Sequence, residues 1–167
     1  MRANVLAPVV AGGLLMAAAS AGAATKTTTF TVSAQVAANC LVSADNIVFG
    51  NYDGTAALAA NGAVRVRCSN GAPFSIGLSK GVGSFTTRLL SDGASHSLQY
   101  NLYTASSFGT VWGDGTSSTV MVADIGEGMS DAKEITHTVY GQLVNSAANQ
   151  DAPAGSYSDT ITVTVTY

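Results

Sequence analysis

The strongest constraint in this sequence is a two-residue alternation that recurs along the chain. In residues 157–167, Tyr157, Ile161, Val163, Val165 and Tyr167 alternate with Ser158, Thr160, Thr162, Thr164 and Thr166. Successive side chains of a β-strand point to opposite faces, so such a run describes a strand with one dry and one wet face. The same period sets Phe30, Val32, Ala34 and Val36 against Thr29, Thr31, Ser33 and Gln35. It recurs through Val64, Val66 and Cys68, through Phe74, Ile76 and Leu78, and through Leu98, Tyr100 and Leu102. Ile135, Val139 and Leu143 follow, with His137 and Gly141 on the same parity. The short run Ile47-Val48-Phe49 is a candidate for another strand. Asp53-Gly54, Asn61-Gly62, Asn70-Gly71 and Asp92-Gly93 are turn dipeptides between the runs. No segment holds a helical period. Residues 56–60 form at most a short turn of helix, and residues 106–119 read as surface loops. About seven strands with Gly turns predict an all-β, immunoglobulin-like β-sandwich.

Composition narrows what such a sandwich does. The formal net charge is −3 and only 10% of residues are charged. Seven Lys and Arg offer no basic stripe for a phosphate backbone, so nucleic acid is not an expected partner. Apolar residues make up 47%, too many for a disordered chain. The length suits one domain with a real core.

The first residues read as an address. Met1-Arg2 gives a positive start, residues 5–19 are uncharged and apolar, and Ala21-Gly22-Ala23 offers small residues for cleavage. This is the layout of a secretory signal over residues 1–23. The apolar stretch is short, rich in Ala and Gly, and interrupted by Pro8, which argues against a membrane anchor. No other segment is long and apolar enough to span a bilayer. Cys40 and Cys68 are the only cysteines, and in an oxidising compartment such a pair forms a disulfide. The chain-entropy model values that closed loop at roughly 3.5 kcal/mol.

Catalytic chemistry finds little support. His96 and His137 are the only bases near neutral pH, and no nucleophile elbow accompanies them. His96 reads as a loop residue beside a strand start, and His137 as a partly buried or rim residue. Gly81-Val82-Gly83 lacks the third Gly and the following helix of a phosphate cradle. Asp124, Glu127 and Asp131 miss the spacing of a calcium loop and read as solvated acids. The expectation is no catalytic residue, no metal and no cofactor.

The two outermost alternating runs leave two possibilities open. Residues 27–36 and 157–167 could pair within one molecule and close a monomeric sandwich. Alternatively, the first run leaves its own domain and fills a groove in a neighbour by β-strand addition. A head-to-tail contact of that kind does not close and builds a filament.

The chain resembles the spore coat protein U domain family, which includes the pilins of archaic, Csu-type chaperone–usher pili. The resemblance rests on Phe30-Thr31-Val32 before Cys40, on Val48-Phe49-Gly50-Asn51-Tyr52, and on Val66-Arg67-Cys68. Leu98-Gln99-Tyr100-Asn101-Leu102-Tyr103, Trp112-Gly113-Asp114-Gly115 and Val139-Tyr140-Gly141 continue it. It closes on Gly155-Ser156-Tyr157-Ser158-Asp159 and the alternating run beyond. The resemblance implies a sandwich lacking its last strand, which a periplasmic chaperone supplies at first. At an outer-membrane usher, the N-terminal segment of the next subunit replaces the chaperone.

Carried over by position, residues 24–39 are the donor segment, with Phe30, Val32, Ala34 and Val36 as plugs. Residues 40–167 are the sandwich, with Tyr157, Ile161, Val163, Val165 and Tyr167 edging the acceptor groove. Cys40 and Cys68 match the family's disulfide. The function so implied is a structural pilus subunit, secreted to the periplasm and displayed in a surface fimbrium that supports attachment and biofilm formation. The competing expectation is a secreted coat or cell-surface binding protein that folds as a closed monomer.

Overall fold

A computed structural model of the chain describes residues 22–167. The predicted signal segment lies, but for its last two residues, outside the described residues. The chain divides into two units, one reaching to Gln35 and the other Val36–Tyr167. In the first, residues 22–35 hold neither strand nor helix, and Phe30 and Val32 are 86% and 83% exposed. The alternation there predicts a strand, and the segment forms none in this structure.

The second unit is a two-layer β-sandwich. Its strands are β1 (Cys40–Ala44), β2 (Leu58–Cys68), β3 (Pro73–Leu78), β4 (Val82–Gly83) and β5 (Arg88–Ser91). Then come β6 (Ser97–Tyr103), β7 (Val122–Ile125), β8 (Ile135–Leu143) and β9 (Val163–Thr166). A 3-10 turn spans Asp131–Lys133, and a helical turn, α1 (Ala147–Gln150), is capped by the Ser146 side chain, which accepts from the Asn149 amide. None of the described helices is long and apolar enough to cross a membrane. The larger sheet runs β1-β2-β8-β6-β5-β4 and the smaller β7-β3-β9, all pairs antiparallel.

The alternation predicts the inward faces well. Val64 and Val66 of β2, Ile76 and Leu78 of β3, Tyr100 and Leu102 of β6, and Val139 and Leu143 of β8 are all buried. Cys40 and Cys68 are joined by a disulfide and face each other in the β1–β2 register.

Three local expectations are corrected. Asn61-Gly62 is no turn but lies within β2, because Gly62 faces inward and leaves room for Ile47 above it. Leu58, Ala59 and Ala60 open β2 rather than a helical turn. The 106–119 loop is not wholly superficial: Trp112 is 1% exposed, and its Nε1 donates to the Ile76 carbonyl at 2.9 Å. The turns at Gly54, Gly71 and Gly93 stand, each with φ between 76° and 80°.

Fully buried Arg88 is the least expected feature of the core. Among the described residues it meets no carboxylate in an ion pair. Its Nη1 donates to Asn101 Oδ1 at 2.6 Å, and Nη2 to the Trp112 carbonyl at 2.8 Å. Nε and Nη2 both donate to the Ser79 carbonyl, at 3.1 and 2.8 Å. Burial pulls the guanidinium below its ordinary pKa, opposed by the charge of Asp159 and Asp114 and by Tyr100 and Tyr103. Neutral acceptors from three parts of the chain thus converge on one cation, tying β5, β6 and the Trp112 loop together.

An open slot between the two sheets

Residues 45–52, which follow β1, leave the edge of the larger sheet and cross its inner face. Ile47 lies over Gly62 and Gly141, and Phe49 packs on Gly141 and edge-on to the Tyr100 ring, 6.1 Å between centroids. A Cβ at Gly62 would stand 2.7 Å from Ile47 Cγ1, and one at Gly141 3.0 Å from Phe49 Cζ. Glycine at these two inward positions is therefore what allows the segment to lie so close. Among the described residues, the run Ile47-Val48-Phe49 pairs with no strand. Among the described residues, the backbone of residues 46–52 makes no backbone hydrogen bond.

The register fixes which way this segment runs. Ala44 pairs with Val64, Gly62 with Val139, and Leu58 with Leu143, so residues 44 to 52 pass from the disulfide end toward the far end. Tyr52 is held there by its hydroxyl, which donates to Asn145 Oδ1 at 2.6 Å.

Residues 157–166 form the opposite wall, running the other way. Ser158 pairs with Ser91 at the far end, and Val165 with Ile76 in β9 near the disulfide end. Only Val163–Thr166 of the predicted run is strand. Tyr157, Ile161, Val163 and Val165 are half-buried, whereas Tyr167 is exposed. Asp159 takes an inward position that the alternation assigns to an apolar residue. Its carboxylate accepts from the Tyr100 hydroxyl at 2.6 Å and from the Val82 amide at 3.0 Å. Burial first, and then the Asp159 carboxylate, push the Tyr100 hydroxyl pKa far upward. This pin holds the wall at its crossing between sheets.

Between the walls lies an open groove of about 990 Å³, floored by Leu78, Leu98, Tyr100, Leu102, Val139 and Leu143. The charged side chains on its lining are Asp45, Asp53 and Asp159. The slot is thus apolar beneath, and on one side its backbone is unpaired among the described residues. That arrangement matches one extended strand better than a compact ligand.

The remaining candidates of the sequence reading stay apart. His96 pairs with Asp92 through Nδ1 and Oδ2 at 2.6 Å on the exposed side. His137 is enclosed by Phe74 and Trp112, with Nε2 3.5 Å from Asp124 Oδ2. Asp131 pairs with Arg67, and Glu127 with Lys133 at 3.7 Å. Among the described residues no three His, Cys, Asp or Glu side chains converge as a metal site. Of the residues expected as plugs, Phe30, Val32 and Ala34 belong to the first unit and Val36 opens the second, and all four are exposed.

The sequence reading missed Asp159, Tyr100 and the crossing of residues 45–52 as parts of this site. One signal was present, since Gly141 shares the inward parity of its strand and leaves a notch. Replacing Gly62 by Val should displace Ile47 and that wall, costing about 1–3 kcal/mol in chemical denaturation through overpacking.

Comparison with known proteins gives the same architecture. A chain in the crystal structure of the CsuC–CsuE chaperone–tip adhesion subunit pre-assembly complex, from archaic chaperone–usher Csu pili of Acinetobacter baumannii, superposes with a TM-score of 0.55. The identity is 23%, and the match covers 79% of the present chain but 40% of that one. No curated protein matches the sequence. The Spore Coat Protein U domain model matches residues 26–164. By that match over most of its length, the chain belongs to the Spore Coat Protein U domain family.

Proposed function

We propose that this chain is a structural subunit of a chaperone–usher pilus that polymerises by donor-strand exchange. The observation that carries the reading is the slot, whose wall at residues 46–52 has no backbone partner among the described residues and whose floor is apolar. The occupant is residues 27–36 of a second copy, which present Phe30, Val32, Ala34 and Val36 at every second position. At about 3.3 Å per residue, the seven residues from Phe30 to Val36 reach about 20 Å, close to the length of the wall. Burial of Phe30, Val32 and Val36 contributes about 1.5–3 kcal/mol apiece, and Ala34 adds less.

A periplasmic chaperone fills the slot before assembly, and an outer-membrane usher is where the next subunit replaces it. The partner assignment is supported by the family and by the chaperone–subunit complex that the fold resembles. The residues implicated are structural, so no catalytic step is assigned. The product is a surface fimbrium serving attachment and biofilm formation.

Dilution of the unfolded, disulfide-linked chain into buffer tests this reading. The expected result is a ladder of linear oligomers whose mean length grows with protein concentration. A protease-resistant monomer at every concentration, with residues 27–36 protected, would favour a closed sandwich instead.

A further inference from the structure

Filling the slot from a second copy raises the question of what stops a molecule from filling its own. This inference rests on the reading of the slot as a strand acceptor. The walls run in opposite directions, so an inserted strand is antiparallel to one and parallel to the other. Antiparallel to β9, the strand runs from the disulfide end toward Tyr52, placing Val36 at the far end. Residues 37–39 then have to return to Cys40 over the full wall. Four residue steps reach at most about 14 Å, whereas residues 44–52 alone extend about 26 Å. A molecule cannot cap itself in that direction.

In the other direction it can. Val36 would then lie at the disulfide end, and residues 30–36 would fold back beside β1 as a hairpin. The turn of that hairpin would be Ala37, Ala38 and Asn39. Ala37 and Asn39, on either side of Ala38, are held otherwise. The Asn39 amide donates to Ser69 Oγ at 3.0 Å, and the Ser69 amide donates to the Asn39 carbonyl at 2.9 Å. The Ser69 hydroxyl also faces the carbonyls of Ala37 and Asn39, each at 3.4 Å. The ladder of β1 and β2 is thereby extended one pair past Cys40 and Cys68, along the line that leads away from the slot.

We infer that Ser69 clamps residues 37–39 in an extended course and so keeps each molecule's slot open for another copy. Ser69 is a positioning residue, acting through the stem rather than by touching the inserted strand. The clamp favours growth of a filament over a self-capped monomer.

The test uses residues 24–167 at nanomolar concentration, below intermolecular exchange, and a fluorescent synthetic peptide of residues 26–38. Four forms are compared for the rate of peptide capture: wild type, Val32→Asp, Ser69→Ala and Ser69→Thr. Val32→Asp cannot cap itself, so it reports the open slot. Wild type is expected to capture the peptide within about twofold of Val32→Asp. Ser69→Ala is expected to capture it at least fivefold more slowly, with residues 27–36 gaining protease resistance, and Ser69→Thr to restore the wild-type rate. Failure of Val32→Asp to capture peptide would overturn the acceptor reading itself. Capture by Val32→Asp, with wild type tenfold slower, would overturn the guard alone. A Ser69→Ala rate equal to wild type would remove Ser69 from that role.

Discussion

Replacing Val32 by Asp is expected to abolish self-assembly while leaving the domain folded. The carboxylate would have to enter a slot floored by Leu98, Leu102, Val139 and Leu143. The loss of Val burial, about 1.5–3 kcal/mol, adds to the cost of desolvating an unpaired charge. Together these weaken association by at least about 100-fold, since each 1.4 kcal/mol is a factor of ten. Val32 is 83% exposed in the structure and takes no part in the core, so the unfolding midpoint of the monomer should stay unchanged. Gel ladders and chemical denaturation measured side by side check both halves. Ladders of wild-type length in the mutant would remove Val32 from the interface.

The second large effect concerns the monomer. Replacing Arg88 by Met keeps much of the volume and removes every N–H that the guanidinium supplies. The Ser79 and Trp112 carbonyls and Asn101 Oδ1 lose their shared donor inside the core. Asn101 Oδ1 keeps the Leu102 amide as a donor at 2.9 Å, so the Ser79 and Trp112 carbonyls are the acceptors left orphaned, and at about 1–3 kcal/mol each the variant should lose about 2–6 kcal/mol. A Lys in its place should recover only part, because an ammonium on a flexible stem cannot match a planar fork aimed at three acceptors. Urea denaturation reads the loss directly. A change under about 1 kcal/mol would mean that the Trp112 loop is held by other contacts.

How far the sequence foretells all this depends on the kind of feature. Period-2 alternation names the inward residues of β2, β3, β6 and β8, since burial of one face is a local pattern. It also puts Tyr157, Ile161, Val163 and Val165 on one face, and all four are half-buried. The alternation does not tell a strand within a sheet from an extended segment crossing over one. Residues 47–49 therefore read as a strand, although Gly62 and Gly141 let them lie across the sheet instead. Asn61-Gly62 reads as a turn because its chemistry permits one, yet pairing with Val139 and Tyr140 keeps it extended. Asp159 breaks the alternation and Arg88 lies outside any alternating run, and the partners of both are brought together only by tertiary structure. The slot is likewise a property of two distant walls, which no local pattern reports.

Ser69 and Asn39 illustrate a further limit. Both are polar residues of ordinary appearance in sequence, flanking the two cysteines. Their significance comes from direction, because they continue the β1–β2 ladder away from the slot. Direction is fixed by register, and register is settled only when the whole sheet is assembled.

Amide hydrogen exchange, compared between polymer and monomer, separates strand insertion from a closed sandwich. Insertion of a strand from a second copy gives partners to the free backbone of residues 46–52 and to the inserted residues 27–36 together. Amides in both segments are predicted to slow at least about 100-fold in the polymer, while those of β2 and β8 keep the protection they already have. Polymers in which residues 46–52 and 27–36 exchange as fast as in the monomer would contradict the account.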